Sequence, residues 1–165
     1  MNEAYNKIIV AMVAVDQDLR LSAKPGKGPL NYLIYVVDAI HRLKVLELIK
    51  KYGYPTQRLI GKEGMKKFWL LIQHQDMDPE LQKECLKRCD FAPSERAFLT
   101  DRVLVNSGKP QRYGTQFYIN KKKQHVPRPI EDPSHVDARR KRVGLSPLKE
   151  YAAQVHRVYR ASAKR

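Results

Sequence analysis

Three times along this chain a short polar residue stands directly before a proline: Asp78-Pro79, Asp132-Pro133 and Ser146-Pro147. An Asp or Ser side chain accepts a hydrogen bond from the free N–H groups of a first helical turn. Proline, lacking an N–H, fits the first helical position. Each pair therefore predicts a helix start. Between these signals the apolar residues mostly keep a helical period. Residues 2–23 read as a first helix, with Ile8, Val10, Ala11, Val13, Ala14 and Val15. Residues 24–29, Lys-Pro-Gly-Lys-Gly-Pro, form a breaker. Residues 30–52 predict a second helix whose core stripe is Leu33, Val36, Val37, Ile40, Leu43 and Leu48, ended by Gly53 and Pro55. Residues 65–72 are apolar over most of their circumference, as a buried central helix requires. Further helices are expected over 80–89, from Pro93-Ser94 to about 106, from Asp132-Pro133 to Gly144, and after Ser146-Pro147 with Leu148, Tyr151, Ala152, Val155 and Val158.

Residues 108–130 read differently. Tyr113, Thr115, Phe117 and Ile119 favour short strands or a hairpin, and Pro127 and Pro129 keep 126–130 extended. The expected fold is mainly α: a single-domain helical bundle over 1–160, a small β-hairpin or irregular insertion around 108–130, and a basic tail over 161–165. At 165 residues one domain is the natural size. Cys85 and Cys89 are spaced i, i+4, which favours two reduced core thiols over a disulfide or a zinc site. The apolar run at 8–15 is too short for a membrane span and lacks the flanks of a signal peptide. A soluble, cytoplasmic protein is expected.

Three clusters place uncommon polar groups beside structural signals. Gln73-His74-Gln75-Asp76 ends the most apolar helix, and His74 is a candidate general acid/base or metal ligand. Its structural alternative is to close the helix on a carbonyl. Asp101-Arg102 interrupts an apolar run, where a charge is costly unless paired or functional. The pair either ties the helix to a neighbour, or Arg102 holds an anion while Asp101 orients a catalytic partner. Gln111-Arg112-Tyr113-Gly114-Thr115-Gln116 is dense in hydrogen-bonding groups. If extended, it turns Gln111, Tyr113 and Thr115 to one side and Arg112, Gly114 and Gln116 to the other. It is otherwise an ordinary polar hairpin. Phosphate-loop, HExxH, GxSxG and paired CxxC motifs are missing, so no cofactor and no metal are expected.

The chain carries 32 Lys and Arg against 17 Asp and Glu, a net +15. Residues 1–80 hold 12 basic and 9 acidic side chains; residues 81–165 hold 20 and 8. The excess gathers at Lys121, Lys122 and Lys123 and at Arg139, Arg140, Lys141 and Arg142, which suit an anionic partner such as nucleic acid, or a solvated face.

Taken in order, Tyr52-Gly53-Tyr54-Pro55-Thr56, Gln73-His74-Gln75-Asp76, Leu99-Thr100-Asp101-Arg102-Val103, Gln111 to Gln116, Pro129-Ile130-Glu131-Asp132-Pro133, Val136-Asp137-Ala138-Arg139-Arg140 and Val143-Gly144-Leu145 resemble an uncharacterised bacterial domain-of-unknown-function family. The resemblance spans about residues 50–151 and, more weakly, the helix ending in Asp16-Gln17-Asp18-Leu19-Arg20. It implies that His74, Asp101, Arg102, Gln111, Tyr113 and Gln116 belong to one pattern, and it implies no reaction.

The expectation that follows is a small hydrolase or group-transfer enzyme for a phosphate- or nucleotide-like substrate. His74 and Asp101 would be catalytic, and Arg102, Gln111, Tyr113, Thr115 and Gln116 would bind the substrate. The alternative is a non-catalytic module that binds nucleic acid or an acidic partner through the basic C-terminal half.

Overall fold

The computed structural model describes residues 1–23, 28–122 and 124–162. Most of the expected breaker at 24–29, Lys123 and residues 163–165 of the expected tail lie outside them. The Cα packing divides the chain into two compact units, Met1–Phe91 and Ala92–Arg165. Among the described residues there are seven α-helices and one two-stranded antiparallel sheet, so the protein is mainly α with a small β-hairpin.

The first unit holds α1 (Glu3–Ser22), α2 (Pro29–Tyr52), α3 (Gln57–Gln73) and α4 (Pro79–Arg88). Side-chain caps set three of the starts: Asn2 Oδ1 accepts from Tyr5 N–H, Thr56 Oγ1 from Leu59 N–H, and Asp78 Oδ1 from Leu81 N–H. Pro79 follows its cap, as the Asp-Pro signal requires. Gly61, at φ 75°, kinks α3 near its start. α1 packs on α2 and α3, and α3 on α4. Tyr5, Ile9, Val45, Leu48, Ile60, Met65, Phe68, Leu71, Ile72 and Cys85 fill the core between them. Cys85 and Cys89 are buried and unbridged.

α2 lies rotated from the expected orientation. Leu33, Val36, Ile40 and Leu43 are exposed, while His41, Val45 and Leu48 are buried. The helix carries two apolar stripes, and periodicity cannot rank them. The side that packs is the one bearing Asp38, which accepts from Arg20 of α1 and, at its carbonyl, from Gln75.

The second unit holds α5 (Pro93–Asn106), β1 (Phe117–Ile119), β2 (His125–Pro127), a 3-10 turn at Pro133–His135, α6 (Val136–Arg142) and α7 (Leu148–Ser162). β1 pairs with β2 in the register Phe117↔Pro127, Tyr118↔Val126 and Ile119↔His125. Two of the three Pro signals act indirectly. Asp132 sits at φ 45° and accepts from Ser134 Oγ and His135 Nδ1, with the 3-10 turn between it and α6. At the third, the Leu148 N–H is taken by Asp137 Oδ1 at 2.7 Å.

Gly114 is the tightest glycine of this unit. Its φ is +69°, and a Cβ there would lie 2.7 Å from Leu148 Cδ1 and 3.1 Å from Ile130 Cδ1. Backbone strain and overpacking therefore act together. Gly114→Ala is expected to destabilise the protein by about 2 kcal/mol or more. Urea unfolding followed by circular dichroism checks this, and an unchanged midpoint would contradict it.

Candidate functional site

The only described cluster of three His, Cys, Asp or Glu side chains close enough to share an ion lies in the first unit: Asp16, Asp38 and His74. α1 supplies Asp16 and Arg20, one turn apart. α2 supplies Asp38, and the end of α3 supplies His74. α3 stops at Gln73, so His74 takes the C-cap position rather than stacking on Asp78. Asp78 instead caps α4 and pairs with Arg42 Nε at 2.6 Å.

Asp16 is 1% exposed. Its Oδ1 accepts from Arg20 Nε at 2.8 Å and from His74 Nδ1 at 3.1 Å, and its Oδ2 accepts from Gln17 Nε2 at 2.6 Å. Arg20 reaches across with Nη2 to Asp38 Oδ1 at 2.5 Å. Burial by itself would raise the Asp16 carboxyl, but the hydrogen bonds and charges of His74 and Arg20 outweigh it and hold the group down at about 2. Burial raises Asp38, and Arg20 offsets only part of that rise. Asp16 is thus an anion at neutral pH and can only accept. The proton in its bond to His74 must therefore sit on Nδ1. That leaves the Nε2 lone pair as the basic site. Among the described residues Nε2 makes no hydrogen bond, and the ring is 16% exposed.

His41 lies one turn beyond Asp38 on α2, buried, with Nδ1 lacking a hydrogen-bond partner. Burial pushes its imidazole down, so it is neutral beside this cluster. Ligand atoms of Asp16, Asp38 and His74 lie within 4.8 Å of one another, close enough for one cation. The Arg20 guanidinium already bridges both carboxylates, so a divalent ion would have to displace it. The donor set fits a satisfied ion-pair network better than a metal centre.

The remaining predicted site residues belong to the second unit, where most of them build a loop. Asp101 is fully buried on α5. Its Oδ1 accepts from the N–H groups of Arg112 (2.7 Å) and Tyr113 (3.0 Å). Its Oδ2 accepts from the Thr115 N–H (2.9 Å) and hydroxyl (3.0 Å). Gln111, also fully buried, donates through Nε2 to the carbonyls of Gln116 and Arg128 and accepts the Gln116 N–H at Oε1. Gln116 Nε2 donates to Thr115 Oγ1. The segment is not a strand, so the alternating faces do not arise. It bends at Gly114 and wraps its N–H groups around one carboxylate. Arg102 and Tyr113 are half-buried.

Two of the four clustered cations are internal as well. Arg140, 1% exposed, donates to the carbonyls of Ser146 and Tyr113 and lies over the Tyr151 ring. Arg139 donates to the carbonyls of Arg112, Glu131 and Asp132. Lys121, Lys122, Lys141 and Arg142 are exposed.

Sequence reasoning singles out His74; it does not single out Asp38, and it reads His41 only as a surface or core-edge residue of its helix. Asp16 and Arg20 were noticed only as the end of a motif. A usable signal existed: Asp16 and Arg20 stand i, i+4 directly after the apolar run of residues 8–15, a spacing that makes an ion pair.

The model of a family of unknown function, DUF6624, matches residues 5–164. Comparison with curated proteins finds no match, and comparison with solved structures finds none.

Two stability measurements test these assignments. Asp101→Ala strands several loop N–H groups and is expected to cost about 3 kcal/mol or more in urea unfolding; a variant as stable as the parent would remove the anchoring role. Asp16 titrates lower folded, at about 2, than an unfolded aspartate at about 3.9. Its contribution is complete above about pH 4 and is lost as pH falls towards 2. Asp16→Asn is therefore expected to cost about 2 kcal/mol at pH 7, with the gap to the parent closing between about pH 4 and 2. A gap independent of pH would contradict the low titration.

Proposed function

The chain belongs to the DUF6624 family of unknown function, and from its own residues we propose that it is a small hydrolase or group-transfer enzyme acting through His74 on an anionic substrate. The observation that carries this reading is the bond from His74 Nδ1 to the buried Asp16 carboxylate. A carboxylate behind an imidazole fixes the tautomer and ring orientation, and it stabilises the imidazolium that forms during proton transfer. Nε2 would take a proton from an attacking water or hydroxyl and return it to the leaving group. Asp16 is the positioning residue and stays ionised throughout. Arg20 holds Asp16 and Asp38 in place.

The roles first expected in the second unit divide. Asp101, Gln111 and Thr115 spend their polar groups on the loop, which supports a scaffold role over a catalytic one. Gln116 likewise gives its side-chain amide to Thr115 Oγ1. Arg102 and Tyr113 remain the proposed substrate-binding residues of that unit. A phosphate- or nucleotide-like substrate suits the net +15, and a cytoplasmic setting suits two unbridged cysteines.

The binding-module alternative loses support because Arg139 and Arg140 already donate to carbonyls of their own unit. Lys121, Lys122, Lys141 and Arg142 are left to make phosphate contacts. Such binding would weaken steeply with salt.

His74→Ala tests the reading on a substrate panel of p-nitrophenyl phosphate and nucleoside di- and triphosphates. Turnover is expected to fall about 10²- to 10⁴-fold with the circular dichroism spectrum unchanged. Undiminished turnover in a folded His74→Ala protein would contradict it.

A further inference from the structure

α2 is apolar on the side that packs and apolar on the side that does not. Tyr32 (70% exposed), Leu33, Tyr35 (68%), Val36, Ile40 (57%), Leu43 (64%) and Leu46 all face solvent. At 100° per residue these seven side chains and Ala39 fall within an arc of about 160° over four helical turns. Asp38, Arg42 and Lys44, the charged residues of the same stretch, lie off that arc. A helix hydrophobic all round is a buried helix. With ordinary full side-chain areas the exposed fractions amount to roughly 700 Å². Monomers rarely leave so large a contiguous apolar patch open. It is close to the ~800 Å² that each partner gives to a standard stable interface.

The stripe also fits itself. A two-fold axis perpendicular to the helix pairs a residue i with one near 78 − i when the axis passes Ala39. Tyr35 then faces Leu43, Tyr32 faces Leu46, and Ala39 faces Ala39. The smallest side chain sits where two helices would cross, and the bulky ones fill the ends. The charges on this side gather beyond the stripe, at Glu47, Lys50 and Lys51. An antiparallel pair sets the two Lys50-Lys51 ends apart, whereas a parallel pair would bring them together.

We propose that the exposed face of α2 is a homodimer interface, with the α2 helices of two copies packed antiparallel across Ala39. The contact is isologous, so it closes at two copies. It buries an uncharged stripe rimmed by lysine and glutamate, as stable interfaces do. It also accounts for the rotation of α2, since each apolar stripe then has a cover.

Sedimentation equilibrium of the full chain between about 1 and 100 µM tests this. The expected result is twice the chain mass. Leu43→Arg, at a residue already in solvent, is expected to give a monomer of unchanged helix content, with the dissociation constant raised at least about 100-fold. Ala39→Cys is expected to cross-link to a covalent dimer on mild oxidation. Val10→Cys, on the exposed side of α1, is expected not to. A parent chain that stays monomeric throughout overturns the proposal and leaves the face to another occupant. A Leu43→Arg protein that remains dimeric overturns it too. If Leu43→Arg does not fold, the cysteine pair decides: cross-linking at Val10→Cys and not at Ala39→Cys rejects this interface.

Discussion

The first unit is organised around one carboxylate out of water. Asp16 is buried in the helical core, and a buried charge is tolerated only when its oxygens are fully partnered. Its partners come from its own helix, Arg20 and Gln17, and from the end of α3, His74. Through Arg20 the same network reaches Asp38 and sets which side of α2 packs. Removing one partner would leave charge uncompensated in the interior, so the helices, their rotation and the His74 ring are coupled through one hydrogen-bonded set. That coupling fixes the orientation of the His74 ring, and Nε2 makes no hydrogen bond among the described residues.

The second unit uses the same device to a different end. Asp101 is buried on a helix as completely as Asp16, but its acceptors are filled by backbone N–H groups of residues 112–115. Arg139 and Arg140 close the other side of that segment by donating to carbonyls. A carboxylate satisfied by backbone N–H groups holds a loop and has no proton traffic to conduct. A carboxylate satisfied by an imidazole holds a titratable ring. Two aspartates of similar burial therefore support different roles, and their partners make the distinction.

Much of the helix order was legible because proline and its preceding cap act locally. Asp78-Pro79 shows this best, with the cap bond and the proline where the sequence places them. The buried run through Phe68, Leu71 and Ile72 was legible from composition alone. What escaped depends on long-range pairing. Asp16 and His74 are 58 residues apart, and Arg20 and Asp38 are 18 apart, so no local pattern joins them. The orientation of α2 escaped because both of its faces are apolar. The 111–116 loop escaped because alternation assumes an extended chain, whereas the bend at Gly114 turns successive N–H groups towards Asp101. Arg139 and Arg140 read as surface charge because nothing in a basic run reveals that a guanidinium will be spent on carbonyls.

The tautomer of His74 tests the account most directly. Nitrogen-15 NMR of the imidazoles at a pH where His74 is neutral reads it, with His74→Gln used for assignment. The account predicts the proton on Nδ1, donated to Asp16, and a bare Nε2. A proton on Nε2, or a His74 signal that does not change in Asp16→Asn, would contradict it.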